Sequence, residues 1–178
     1  LAGCEAQLDT LRQAHHLPGL AAAVVQDGKL AWSHGYGFAD EDREVPITPD
    51  TPFWLASVTK TFMGLLFLKL EREGVIDLDE RIAQSPDFPD FCQWLSTSGI
   101  VFGKDLRCDA PITIRTILNH TSNGTPGTRF MYNPMLYSRL SRFIEYKYGH
   151  SPDEVEGRHN TMAQLMESHV LAPAGLTR

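Results

Sequence analysis

Two side chains stand out for their chemistry and their spacing. In Ala56-Ser57-Val58-Thr59-Lys60 a hydroxyl and an amine lie three residues apart at the start of an apolar stretch. Positions i and i+3 share a helix face, so a helix here brings the two groups within hydrogen-bond reach. A serine becomes nucleophilic only with a base beside it. A lysine serves only where desolvation or nearby positive charge lowers its pKa from about 10.4. The helix N-terminus adds unpaired backbone N–H groups aimed at negative charge forming on the serine. The chemistry these features suit is acyl transfer through a serine ester. Taken alone, the same residues also describe an N-cap serine followed by a solvated lysine.

Periodicity and turn signals outline the elements that must hold this pair. Residues 4–16 carry Ala6, Leu8, Leu11 and Ala14 on a helical spacing, and Leu17-Pro18-Gly19 ends the run. Strands are predicted over 20–26 and 29–39, joined at Asp27-Gly28, a strong hairpin signal. The first of them, with Ala21-Ala22-Ala23-Val24-Val25, is apolar on both faces and reads as sheet interior. The longest helix is predicted over 57–73, stopped by Gly74 and apolar nearly all round from Val58 to Leu68, hence buried. Residues 85–110 read as irregular because of Pro86, Pro89, Gly99 and Gly103. Shorter helices are expected at 113–119, at 134–148 with Pro134 in the first turn, and at 160–171. Two early strands followed only by helices make an unbalanced α+β pattern. A two-stranded ribbon is marginal alone, so the residues read as part of a domain completed by a further segment or a second chain.

Composition bounds the function. The chain has 178 residues, a net charge of −6, 42% hydrophobic and 21% charged residues, which is ordinary for one globular domain or part of one. The acidic balance argues against nucleic acid as a partner. The longest apolar stretch, 62–68, is far below the roughly 20 residues a membrane span needs. Cys4, Cys92 and Cys108 form no C-x-x-C pair, and the histidines, among them His34, His150, His159 and His169, lack ligand spacing. No metal or organic cofactor is expected. Cys92 and Cys108 bracket a loop, and either pair in an oxidising compartment or stand as buried free thiols. Asp77, Asp79 and Glu80 read as a solvated turn, and Trp32, Trp54 and Trp94 as core or pocket wall.

Several separated motifs, in order, carry a resemblance. Asp27-Gly28-Lys29 through Gly35-Tyr36-Gly37, Thr48-Pro49-Asp50-Thr51-Pro52-Phe53 and Ala56-Ser57-Val58-Thr59-Lys60-Thr61 are followed by Glu73-Gly74 through Leu78-Asp79. Then come Ile112-Thr113-Ile114-Arg115, Leu118-Asn119-His120-Thr121-Ser122, Pro126-Gly127-Thr128-Arg129-Phe130 with Tyr132, and the tail from Leu171 to Thr177. Along nearly its whole length the chain resembles the serine β-lactamase-like family, the group of class C β-lactamases, D,D-peptidases and related esterases. The fold implied is α+β, β-lactamase/transpeptidase-like, with the C-terminal sheet strands missing from these residues. It corresponds to a partial domain over 1–178, an N-terminal helix and two strands (1–52) followed by a mostly helical region with the active-site helix (53–178).

The resemblance implies roles. Ser57 is the acylated nucleophile and Lys60 its proton acceptor or electrostatic partner. Tyr132 matches the tyrosine of the family's Tyr-x-Asn motif and relays protons across the pocket; on its own it would read as a core aromatic. Here the motif runs Tyr132-Asn133-Pro134, so Pro134 stands where the family has asparagine. Asn133, one position early, is the remaining candidate for substrate binding. The family's third motif, Lys-Thr-Gly or His-x-Gly, is absent from these residues, and with it one oxyanion-hole N–H worth about 3 kcal/mol in the transition state. The chain alone is therefore expected to be inactive. The expected partner is a small-molecule or peptidoglycan-like substrate, alongside the segment or second chain supplying the missing strands. Acyl-enzyme chemistry on an ester, amide or β-lactam carbonyl is the leading function, and ligand binding without turnover the alternative. His120 is expected to make a structural hydrogen bond in a turn. The family suggests an extracytoplasmic protein, and Leu1-Ala2-Gly3-Cys4 is similar to the end of a lipoprotein cleavage box that would place lipid on Cys4.

Overall fold

The computed structural model describes residues 2–150 and 161–176. His159, the first residue of the expected last helix and the side chain of Cys4 lie outside the described residues, so the lipid-anchor expectation has no structural counterpart here. The chain divides into two compact units, Leu1–Leu55 and Ala56–Arg178.

The first unit is a helix and a small antiparallel sheet. Helix α1 (Ala2–Ala14) precedes strands β1 (Gly19–Gln26), β2 (Lys29–Asp40) and β3 (Val45–Pro46), in the order β1-β2-β3. The hairpin turns where the sequence predicts. Asp27 and Gly28 both have positive φ, 51° and 71°, as a two-residue turn with the twist of its flanking strands requires. Register runs from Gln26↔Lys29 to Gly19↔Gly37, with a bulge between Val24 and Val25. Trp32 Nε1 donates to Glu5 Oε1 at 2.6 Å and ties β2 to α1. Strand β1 corrects its expectation. It lies at the edge of this sheet, with Val25 68% exposed, because the described residues supply a neighbour on one side only.

The second unit holds the main core. A single 3-10 turn (Ala56–Val58) leads into α2 (Thr59–Arg72), and α2 packs Leu66, Phe67 and Leu70 against Ile82, Leu95, Ile114, Ile117, Leu140, Phe143 and Ile144. These side chains come from α3 (Phe88–Thr97), α4 (Ile114–Leu118), α6 (Arg139–Lys147) and a short turn at Ile82–Gln84. Burying each large side chain contributes about 1.5–3 kcal/mol, so this cluster anchors α2 firmly. Only one face of α2 is covered. Leu65 and Leu68, 48% and 55% exposed, depart from the expectation of burial all round.

Helix α3 is the element the sequence reading misses. Its proline, Pro89, lies in the first turn, where a missing N–H removes nothing and φ is already helical, so it starts the helix. Cys92 on α3 is bonded to Cys108, sixteen residues on, which settles the open alternative in favour of a disulfide. Helix α4 begins with a reciprocal capping box between Thr113 and Thr116. The stretch predicted helical from Pro134 breaks at Ser138 into α5 (Pro134–Tyr137) and α6. Helix α7 (Thr161–Met166) continues as a π-helical turn to Leu171. Asp79 and Glu80 are held in ion pairs with Arg115 and Lys147, both at 2.8 Å. Trp54 and Trp94 are 95% and 49% exposed, so neither is a core residue.

Gly103 makes a close approach. A Cβ there would strike the backbone carbonyl of Leu95, and backbone cannot step aside as a flexible side chain can. Gly103→Ala is therefore expected to lower unfolding free energy by about 1–3 kcal/mol, the usual range for overpacking, read from a urea midpoint at unchanged m-value.

Candidate active site

Ser57 sits in the 3-10 turn that begins α2, directly after Ala56, whose backbone is left-handed at φ 45°. One helical turn on, Lys60 Nζ donates to Ser57 Oγ at 3.1 Å. The expected i, i+3 approach is present, although Ser57 lies inside the turn and not at a helix N-cap. Tyr132, from the segment between α4 and α5, completes the group: its hydroxyl lies 2.7 Å from Ser57 Oγ. Lys60 Nζ also sits 5.2 Å from the Tyr132 ring centroid and 5.4 Å from that of Tyr137. The structure thus brings three of the four residues singled out in the sequence together around one oxygen.

The two tyrosines are pushed in opposite directions. Hydrogen bonding from Lys60, then from Ser57, holds the Tyr132 phenol below its ordinary pKa against a smaller opposing effect of desolvation. Burial first, and Tyr132 second, push Tyr137 up to about 12. Tyr137 therefore stays protonated and donates to the Lys60 backbone carbonyl at 2.9 Å, fastening α5 to the first turn of α2. A pair of like groups driven apart in this way commonly separates a proton-transfer residue from a structural one.

Asn133 is placed elsewhere. Its side chain is 1% exposed and fully engaged: Nδ2 donates to Phe102 O at 2.8 Å and Asn123 Oδ1 at 3.0 Å, while Oδ1 accepts from Leu136 N at 3.0 Å as the N-cap of α5. That amide is thus engaged within the protein at the position where the sequence suggests a substrate contact. Pro134 occupies the first turn of α5 and offers no amide in its stead. Asn123, itself fully buried, donates to Phe102 O and Lys104 O, so the two asparagines grip one loop. Sequence spacing singles out neither Asn123 nor Tyr137, whose partners lie 21 and 77 residues away.

His120 takes the structural role expected of it, with detail the sequence could not supply. Its backbone is left-handed at φ 55°, its carbonyl accepts from Met131 N at 2.7 Å, and its Nδ1 accepts from Asn133 N at 3.1 Å. Its ring lies 4.7 Å from that of Tyr132 and stacks on Tyr137 at 5.2 Å. Behind Lys60 a cavity of about 390 Å³ opens, lined by Gly64, Leu68, Leu118, His120 and Tyr137 among others. Among the described residues no group of three or more His, Cys, Asp or Glu side chains is arranged to hold a metal ion.

If Asn133 is a buried clasp, its loss acts on stability. Asn133→Ala leaves the Leu136 N–H without its cap and is expected to lower unfolding free energy by about 1–3 kcal/mol in chemical denaturation. An unchanged denaturation curve would contradict that role.

Known proteins can be set beside this geometry. The family model described as Beta-lactamase matches residues 4–178. Protein flp of Staphylococcus aureus (strain COL) is 31% identical over 164 residues, covering 78% of this chain and 32% of its own length. The octameric penicillin-binding protein homologue from Pyrococcus abyssi superposes with a TM-score of 0.76 at 19% identity, over 99% of this chain and 43% of that one. A class C beta lactamase from Rhodobacter sphaeroides gives 0.67 at 20% identity, over 97% and 49%. The chain thus spans about a third of the curated relative and less than half of these two structures. In fold it is the helical and N-terminal part of a β-lactamase/transpeptidase-like α+β domain, and by sequence it belongs to the beta-lactamase family.

Proposed function

We propose that the protein is a serine hydrolase that forms an acyl-enzyme on Ser57 from an ester, amide or β-lactam carbonyl. One observation carries this reading: Ser57 Oγ lies within hydrogen-bond distance of both an amine and a phenol, 3.1 Å and 2.7 Å away. Lys60 donates to Ser57 Oγ, and once Tyr132 is a phenolate, which can only accept, the serine's own proton is given to the Tyr132 oxygen. Tyr132 as phenolate is the base, and Lys60 the charge that makes the phenolate accessible.

In the proposed cycle Ser57 Oγ attacks the carbonyl carbon while its proton passes to Tyr132 and the carbonyl oxygen takes up the negative charge. Collapse expels the leaving group, which takes the proton from Tyr132. Water then attacks the ester and gives a proton to the Tyr132 phenolate; collapse releases the acid, and the departing Ser57 Oγ takes that proton back from Tyr132. The Ser57 backbone N–H is one oxyanion donor. The second, about 3 kcal/mol of stabilisation, is assigned to a further segment or a second chain, together with strands that pair with β1. The partial domain over 1–178 and its division near residue 52 belong to the same proposal. An extracytoplasmic location, with or without lipid on Cys4, is supported by the Cys92–Cys108 disulfide, since such bonds persist in oxidising compartments.

A second reading, ligand binding without turnover, is favoured by one feature: Asn133 is turned inward and Pro134 carries no amide to hold a substrate carbonyl. Intact-mass measurement after incubation with a fluorophosphonate or a fluorescent penicillin separates the two. An adduct that disappears in Ser57→Ala supports the enzyme; saturable binding with no adduct supports the second reading. Tyr132→Phe is expected to slow labelling by about a hundredfold or more, the usual contribution of a positioned base. Because the Tyr132 pKa is lowered, its phenolate forms at lower pH than an ordinary tyrosine's. The labelling rate should therefore rise with pH and level off before about 10. Lys60→Met should push that rise to higher pH.

A further inference from the structure

Tyr132 hangs between two hydrogen bonds to a single residue. On its N-terminal side Met131 N–H donates to the His120 carbonyl at 2.7 Å, and on its C-terminal side Asn133 N–H donates to His120 Nδ1 at 3.1 Å. The second bond fixes the chemistry of the ring: Nδ1 must carry a lone pair, so the proton of the neutral imidazole is on Nε2. An imidazolium has no lone pair to offer, and the Asn133 N–H would face a donor. The Asn133 side chain is meanwhile clamped to Phe102 and Asn123, so this backbone has little room to adjust.

We propose that His120 is a positioning residue for Tyr132, acting through the Asn133 amide, and that its protonation withdraws the phenol from Ser57 and gives the protein an acid cutoff of its own. The groups facing the ring are Lys60 from α2, Tyr132 from its own segment and Tyr137 from α5. Arg115 lines the same cavity, with its guanidinium already held by Asp79 and Glu71. The nearest charge is thus a cation, which disfavours a second one. Burial, and then Lys60, hold the imidazole below its ordinary value, so the neutral ring persists somewhat below pH 6.5.

The signature separates from that of Tyr132. If Tyr132 must be a phenolate, the logarithm of the labelling rate rises with slope one through the acid and neutral range. Where His120 must also be neutral, the slope steepens to two below the imidazole's pKa. His120→Asn tests this. Asparagine tolerates the left-handed backbone at this position and presents an oxygen near the place of Nδ1 that does not titrate. It should keep slope one throughout, while His120→Ala, with the amide unpartnered, should label about tenfold or more slowly at every pH.

The activity arm rests on the acyl-transfer reading, so a second measurement stands apart from it. In a heteronuclear NMR titration of the whole chain, the Asn133 amide and the Tyr132 ring signals should both move with the His120 imidazole. If they do and no Ser57 adduct forms at any pH, the positioning role stands and the acyl-enzyme reading fails. If the Asn133 amide ignores the imidazole titration, or His120→Asn keeps the steepened limb, the positioning role is overturned.

Discussion

The separation between one serine oxygen and its two polar neighbours is the constraint on which the rest of this structure depends. Hydrogen bonds of 2.7 and 3.1 Å tolerate only a few tenths of an ångström of drift, yet Ser57 and Tyr132 are 75 residues apart in the chain. Ser57 and Lys60 are fixed by α2, whose first turn is fastened by the Tyr137 hydroxyl and whose later turns are buried in the unit's core. A helix locked at both ends transmits no play to the residues at its start.

Tyr132 needs a different solution, because it belongs to no regular element. Its segment is suspended from His120 on one side and from the Asn133–Asn123–Phe102 cluster on the other. Phe102 and Lys104 in turn belong to a loop pinned to α3 by the disulfide and by the tight passage of Gly103 under Leu95. Buried amides with every donor and acceptor matched are rigid, since each alternative arrangement strands a polar group away from water. Polar clasps do for Tyr132 what apolar packing does for α2.

Much of this was legible in the residues. The hairpin at Asp27-Gly28, the helix from Ser57 and the pairing of Ser57 with Lys60 all follow from local rules, whose information lies within a few residues. Tyr132 was legible only through resemblance, since nothing local marks it out among the tyrosines. Helix α3 was missed because Pro89 was weighed as a breaker, when its place in the first turn makes it a starter. Strand β1 was expected in a sheet interior from its composition, but composition reports the surroundings a strand suits, and here β2 is its one neighbour among the described residues. Asn133 is a substrate-binding candidate only by its place in a motif, one position early. Its inward turn is decided by the loop it grips, and no pattern along the chain announces such a contact.

Ala56 bears on how such a site can be altered. A left-handed alanine is disfavoured by about 1–2 kcal/mol, while glycine in its place would lose about 0.4–1 kcal/mol more chain entropy on folding. On these figures glycine comes out ahead by roughly 0 to 1.6 kcal/mol, so stability does not favour the alanine. What alanine contributes is confinement: with a methyl group there, the peptide entering the nucleophile has few shapes to visit, and a glycine would turn a fixed elbow into a swivel.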